Sequence, residues 1–308
     1  MANIQPLVSV VTCTYNSARF LKETIESVLS QTYQNFEYII WDDGSTDNTR
    51  EIVESFNDSR IKYFYANNQG IGEATVSACQ KVRGEYIARI DGDDIWLPEK
   101  LEKQIGFLNR HEDVVVVVSD TTIIDENSKI LGESFTYTNP NLLKVLINQN
   151  RNTFCHSTSV YRTRDYLRCG GYVNIRSRLD LLFFKRMAQL GTIYKMKEHL
   201  VKYRIYTGSV GGTTNILDQG PYKDVILALL NKIYKDLGNN QFDVNLYNQL
   251  YIMAKTTHEN NTNSSKRQYK PEKQTLLFNK LKILFGSFYA SRVVYSLNDI
   301  YGYLKYMI

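Results

Sequence analysis

Short apolar, largely β-branched runs recur along the first part of the chain, and between them apolar residues return at three- and four-residue spacing. Leu7 to Cys13 (LVSVVTC) is one such run, and Leu21, Ile25, Val28 and Leu29 follow it, which predicts a strand and then an amphipathic helix. The unit repeats with Phe36 to Trp41 as a strand, DDGSTDNT as a turn and helix start, and Ile52, Val53 and Phe56 as a buried helical face. Ile61 to Tyr65 gives a third strand. Ile71 to Val82 reads as a helix closed by Gly84, after which Tyr86 to Ile90 is a strand running into the acidic turn DGDD. Pro98 suits the first turn of the next helix.

Val114 to Val118 has the unbroken β-branched character of a fully buried central strand. A helix over Asn141 to Ile147, a strand over Ser157 to Tyr161, a helix over Leu181 to Leu190 and a strand over Leu200 to Ile205 complete the order. Strands alternating with helices predict an α/β fold: a Rossmann-like, mostly parallel sheet with helices on both faces, binding ligands at the carboxyl ends of its strands. Both acidic turns fall at such ends.

Beyond Gly212 the composition shifts to helix-forming Leu, Ile, Lys and Tyr, broken by a polar stretch from Glu259 to Lys273 that suits a linker. The expected organisation is therefore one domain over 1–212 and a helical C-terminal region over 213–308. Within that region, eight aromatics between Phe278 and Tyr306 interleave with Lys280, Lys282, Arg292 and Lys305. A basic, aromatic helical tail over 275–308 suits peripheral contact with a membrane, and equally packing on the catalytic domain or on a second copy in a homodimer.

A net charge of +5 favours phosphate-bearing ligands or an anionic membrane face, and it is too small and too dispersed for a nucleic-acid binder. Cys13, Cys79, Cys155 and Cys169 are scattered, without zinc spacing, and read as reduced packing residues. Met1 to Pro6 lacks the features of a secretory leader, and no apolar run is long enough to span a bilayer. A cytoplasmic protein is expected, with the inner face of the cell membrane as its place of work if the tail binds lipid.

Asp42 and Asp43 leave a strand directly, so their carboxylates are expected in the ligand crevice, where they can accept hydrogen bonds from a base or ribose. The same four residues, Asp-Asp-Gly-Ser, would also serve as a turn plus helix cap. Asp91, Asp93 and Asp94 are denser, and like charges so close need a cation or a bound proton. Hard oxygen ligands of this number suit Mn²⁺ or Mg²⁺, with phosphates and water completing the shell. The plain alternative is a solvated turn ahead of the helix near Pro98.

Taken in order, LVSVVTCTYN, DDGSTD, GEYIARIDGDD and the later GGY segment resemble the family 2 glycosyltransferases, over Leu7 to Ser209 or about two thirds of the chain. The resemblance implies a GT-A fold and a metal-dependent, hexosyltransferase-type enzyme, usually inverting, that uses a nucleotide-sugar. Carried over residue by residue, it places the donor, expected to be UDP-linked, on Thr12, Tyr15 and Asp43, and the diphosphate and metal on Asp91 and, chiefly, Asp93. The acceptor, a glycan or lipid-linked glycan in cell-surface polysaccharide synthesis, would face His156, although a lone histidine is more often a satisfied polar residue.

Three positions depart from the family pattern. Ser177-Arg178 stand where an acidic pair commonly supplies the base, leaving Asp180, at a predicted helix start, as either the catalytic carboxylate or a cap. Tyr206 stands where a His often follows Tyr-Arg, and Thr75-Val76 replace an Arg-Asn. The first two departures keep a second reading open, a catalytically degenerate nucleotide-sugar-binding protein acting as a scaffold. A nucleotidyltransferase is disfavoured because no Gly-rich, basic triphosphate loop follows the first strand.

Overall fold

The computed structural model describes residues 5–134, 139–148, 154–175 and 177–206. The C-terminal region over 213–308, its polar linker and its basic, aromatic tail lie outside the described residues. In chain order the elements are β1 (Val8–Thr14), α1 (Ala18–Leu29), β2 (Phe36–Asp42), α2 (Thr49–Glu54), β3 (Ile61–Tyr65), α3 (Ile71–Cys79), β4 (Tyr86–Arg89) and β5 (Ile95–Trp96). There follow α4 (Lys100–Arg110), β6 (Val114–Ile124), β7 (Ile130–Glu133), α5 (Pro140–Asn148), β8 (Val160–Arg162), α6 (Thr163–Arg168), α7 (Leu179–Leu190) and β9 (Thr192–Arg204).

The strands form one sheet in the order β3-β2-β1-β4-β8-β6-β9-β5, with β7 paired to β6. β1, β2, β3 and β4 are mutually parallel, and β6 runs parallel to β9. β8 is antiparallel to both β4 and β6, while β5 and β7 run antiparallel to β9 and β6. The sheet is thus mostly parallel, as expected, with antiparallel strands confined to its second half.

Alternation along the strands sends successive side chains to opposite faces. Val8, Val10, Tyr38, Ile40, Tyr86, Ala88 and Ile90 join Leu21, Ile25 and Val28 of α1 and Leu101, Ile105 and Leu108 of α4 in one buried cluster. α3 buries Ala74, Ala78 and Cys79 outside that cluster. α1 shows why packing rather than capping holds these helices: Ser17 makes no side-chain cap bond, whereas each fully buried Leu, Ile or Val contributes about 1.5–3 kcal/mol.

Three expected elements differ in their bounds, and three short ones were not expected. The strand expected over Ser157 to Tyr161 begins only at Val160, because His156 to Thr158 form a 3-10 turn in which Thr158 and Ser159 hydroxyls donate to carbonyls three residues back at 2.7 and 2.8 Å. The last strand starts at Thr192, not Leu200, since β6 pairs with it along its length while Lys197 and Glu198 remain exposed and break the apolar signal. α3 ends at Cys79, before Val82. The chain must there turn so that Gly84 can donate to the Ser9 hydroxyl at 2.8 Å, an approach so close that a Cβ on Gly84 would lie 2.6 Å from Ser9 N. The short elements β5, β7 and α6 carry too few residues to show a period. Among the described residues no helix is long and apolar enough to cross a membrane.

Candidate functional site

The order β3-β2-β1-β4 has its topological switch between β1 and β4, the place where an open parallel sheet leaves a crevice outside its carboxyl ends. Register places Thr14 beside Asp42 and Asp42 beside Tyr65, so three strands end level. The loops after β1, β2, β3 and β4 therefore meet at one edge.

The DDGSTD segment staples those loops together. Asp42 accepts from Ser45 N at 2.8 Å and the Tyr63 hydroxyl at 2.7 Å, and Ser45 Oγ accepts from Asn16 N at 2.8 Å. Asp47 accepts from Ala18 N at 3.0 Å and the Thr49 hydroxyl at 2.6 Å, so it caps α1 from a neighbouring loop and fills the role Ser17 leaves open. Asp43 takes the backbone N–H groups of Gln69 and Gly70 at 2.9 and 2.8 Å. Gly44 adopts φ +83°, and a Cβ there would sit 2.6 Å from Asn68 N. Only glycine fits such a turn against such a loop.

This geometry revises the expectation for Thr12. Its side chain is wholly buried, with its hydroxyl engaged by the Tyr38 hydroxyl and the Ile90 carbonyl, each at 3.0 Å, so it braces β1 against β2 and the end of β4 and does not reach the crevice. Asp43 is nearly as buried, and its carboxylate shapes the floor through the 69–70 loop. Tyr15, by contrast, is 51% exposed at the mouth. Tyr65, at the end of β3, and Ile71, at the start of α3, also stand exposed. Thr75, at one of the departing positions, turns back to the Ile71 carbonyl at 2.7 Å and is buried.

The three carboxylates of the second acidic turn do different things. Asp91 is the open one, its side chain 40% exposed and 3.4 Å from the buried guanidinium of Arg89. Asp93 accepts a hydrogen bond from the Tyr206 hydroxyl, yet burial and the neighbouring Asp91 push its carboxyl up to about 6. Asp94 is fully buried and accepts from Arg204 N at 3.0 Å and from the Ser157 hydroxyl, with the Cys155 thiol 3.6 Å away. Burial and the two flanking aspartates raise Asp94 well above the usual carboxylate range. Asp94 is an internal brace. Asp91, partly exposed beside Arg89, and Asp93, held by the Tyr206 hydroxyl, remain as the candidate ligand-facing pair.

Among the described residues no group of three or more His, Cys, Asp or Glu side chains converges as a metal site. The donor set at hand is therefore one or two carboxylate oxygens. That number fits a hard divalent ion which fills its remaining positions with substrate phosphate and water, and it does not fit a closed protein cage.

His156 lies in the 3-10 turn, not at a strand start. Its Nε2 is 2.6 Å from the Tyr172 hydroxyl of the GGY segment, and its ring packs edge-on to Phe184 of α7 at 5.8 Å. Burial and the Arg89 cation hold its pKa well below the ordinary range, so the imidazole is neutral. The next residue, Ser157, accepts from Asp91 N at 3.0 Å, which sets this turn against the acidic loop. Asp180 sits in the first turn of α7, four residues before Phe184 and so on the same side of the helix as the His156 contact. Arg178, just ahead of α7, takes φ +56°. Sequence reasoning missed Arg89 and Ser157. It also missed the reach of Arg204, whose fully buried guanidinium donates to the Asp93 carbonyl at 2.8 Å, to Ser128 Oγ at 3.0 Å and to Glu23 at 2.8 Å. Its place in a Tyr-Arg pair was the one signal available.

Comparison with known proteins gives a consistent picture. The family model described as Glycosyl transferase family 2 matches residues 9–170. The Bacillus subtilis glycosyltransferase TuaG, assigned to teichuronic acid biosynthesis, is 34% identical over 220 residues, covering 68% of this chain and 83% of that protein. The glycosyltransferase EpsE of the same organism is 35% identical over 210 residues, covering 66% of this chain and 74% of its own. Among solved structures, S. aureus TarS 1–349 in complex with UDP-GlcNAc superposes with a TM-score of 0.56 at 20% identity, over 89% of this chain and 79% of that one. The TarS likeness bears on the fold alone, and it matches the GT-A expectation.

Proposed function

The chain belongs to glycosyl transferase family 2, and we propose that it moves a sugar, with inversion, from a UDP-linked donor to a hydroxyl of a glycan or lipid-linked acceptor in cell-surface polysaccharide synthesis. The observation that carries this reading is the pair Asp91 and Asp93 on the loop after β4, Asp91 partly exposed and Asp93 pushed up to about 6 by burial and its acidic neighbour, beside the exposed Tyr15 on the loop after β1. Tyr15 offers a ring face to the nucleoside. Asp91 and Asp93 would hold Mn²⁺ or Mg²⁺, which supplies charge stabilisation to a departing diphosphate. The solved TarS complexes with UDP and UDP-GlcNAc, and relatives assigned to teichuronic acid, support a UDP donor and a polymer acceptor.

The remaining roles fall to this chain's own side chains. Neutral His156, fixed by Tyr172, is a polar contact for the acceptor. Asp180 accepts the acceptor hydroxyl's proton or orients it, although the positive end of α7 stabilises its anion and lowers its basicity. A single displacement from the face opposite the leaving group inverts the anomeric carbon. Contact of the 275–308 tail with a membrane or a second copy belongs to the same proposal as the route to a lipid-linked acceptor.

The test is thermal denaturation of the full chain with UDP or UDP-sugars, with and without Mn²⁺. Ligand at one hundred times its dissociation constant should add about 2.7 kcal/mol of stability. That gain should require the ion, and Asp93→Ala should abolish it. Ion-independent stabilisation, equal in the variant, would remove the metal from the proposal. Binding without sugar transfer would favour the scaffold reading that Arg178 suggests.

A further inference from the structure

The end of β9 packs directly on the acidic turn. Arg204 supplies its backbone N–H to Asp94 Oδ1 at 3.0 Å and its Nε–H to the Asp93 carbonyl at 2.8 Å, gripping the Asp94 side chain and the Asp93 main chain together. Two residues on, the Tyr206 hydroxyl donates to the Asp93 carboxylate itself. Both side chains are anchored on one ring of α1. The Arg204 guanidinium lies 4.5 Å from the Phe20 centroid and the Tyr206 ring 4.7 Å from it, tilted by 56°. A phenol carried on a packed ring has little rotamer freedom left, so the oxygen it presents to Asp93 is preorganised.

We propose that Tyr206 is a positioning residue for Asp93: it holds the carboxylate in the rotamer that presents an oxygen to a divalent ion and the donor diphosphate. The inference rests on the metal role given to Asp93 above. Without the phenol, repulsion from Asp91 turns the Asp93 side chain away. Arg204 fixes where the turn lies, and Tyr206 fixes where its carboxylate points. A ligating group oriented by a hydrogen-bonded neighbour is a common feature of metal sites, and loss of such a neighbour typically weakens metal binding roughly 10- to 100-fold.

Tyr206→Phe is the informative variant, since it keeps the ring on Phe20 and removes only the hydroxyl. Titration calorimetry of Mn²⁺ with UDP into the full chain should show affinity weakened by roughly 10-fold. In transfer assays the KM for the ion should rise while kcat at saturating ion stays the same. Tyr206→His, which returns a donor, should recover binding. Wild-type affinity in Tyr206→Phe, alongside lost binding in Asp93→Ala, would overturn the role given to Tyr206. Wild-type affinity in Asp93→Ala would instead overturn the metal role of Asp93 on which the inference stands.

Discussion

Asp43→Asn separates a donor-binding role from a structural one. The wild-type carboxylate is 4% exposed and receives two backbone N–H groups, from Gln69 at 2.9 Å and Gly70 at 2.8 Å. Asparagine keeps one carbonyl oxygen but puts an NH₂ where the second acceptor stood, so one backbone N–H meets another donor. The bond that survives also loses its charge. Hydrogen bonds to charged groups contribute about 1.5–3 kcal/mol each, against about 1 for neutral ones. Losing one entirely and weakening the other costs about 2–3 kcal/mol, because Gln69 is exposed and water recovers part of the loss. For a domain of this size 1 kcal/mol shifts the melting temperature by roughly 2–4 °C, so the ligand-free variant should melt roughly 5–10 °C below wild type. Differential scanning fluorimetry and urea unfolding of the full chain read this directly. A melting temperature equal to wild type, with UDP affinity reduced, would refute the staple and leave Asp43 with a donor-binding role alone.

Two further outcomes follow from the site. Because burial and Asp91 push the Asp93 carboxyl up to about 6, the native state keeps a proton that the unfolded carboxylate, with a pKa of about 3.9, has lost. This group's contribution to ion-free stability therefore falls as pH rises from about 4 to about 6. Mn²⁺ must displace that proton, so its affinity should rise about tenfold per pH unit up to about pH 6 and then level off; calorimetry across pH 5 to 8 that finds a flat profile would contradict it. Asp180→Asn should lower turnover by at least about 100-fold with little change in donor KM if it is the base. If Asp180 only caps α7, stability should fall by about 1 kcal/mol while turnover per folded molecule holds, and His156 becomes the next residue to replace.

What the sequence by itself determined is the first half of the sheet and the family. Leu7 to Tyr86 carries strands and helices whose periods are local, so β1, β2 and β3 lie where the apolar runs put them. The ordered motifs carried the resemblance to the glycosyltransferase family, and periodicity separately placed the acidic turns at strand ends. The second half was less legible. β9 alternates with exposed lysine and glutamate and becomes a strand only because β6 is there to pair with it, and β8 is shortened by serine and threonine hydroxyls that bond to their own backbone. The division of labour among Asp91, Asp93 and Asp94 was decided wholly by tertiary structure. Three aspartates within four residues look alike in a sequence. Arg89 beneath the first, Tyr206 beside the second, and Ser157 with Arg204 around the third make them unlike. The Arg204 guanidinium reaches Glu23 across 181 positions of sequence. Contacts of that separation depend on the folded sheet bringing β9 back to α1, and no local pattern records them.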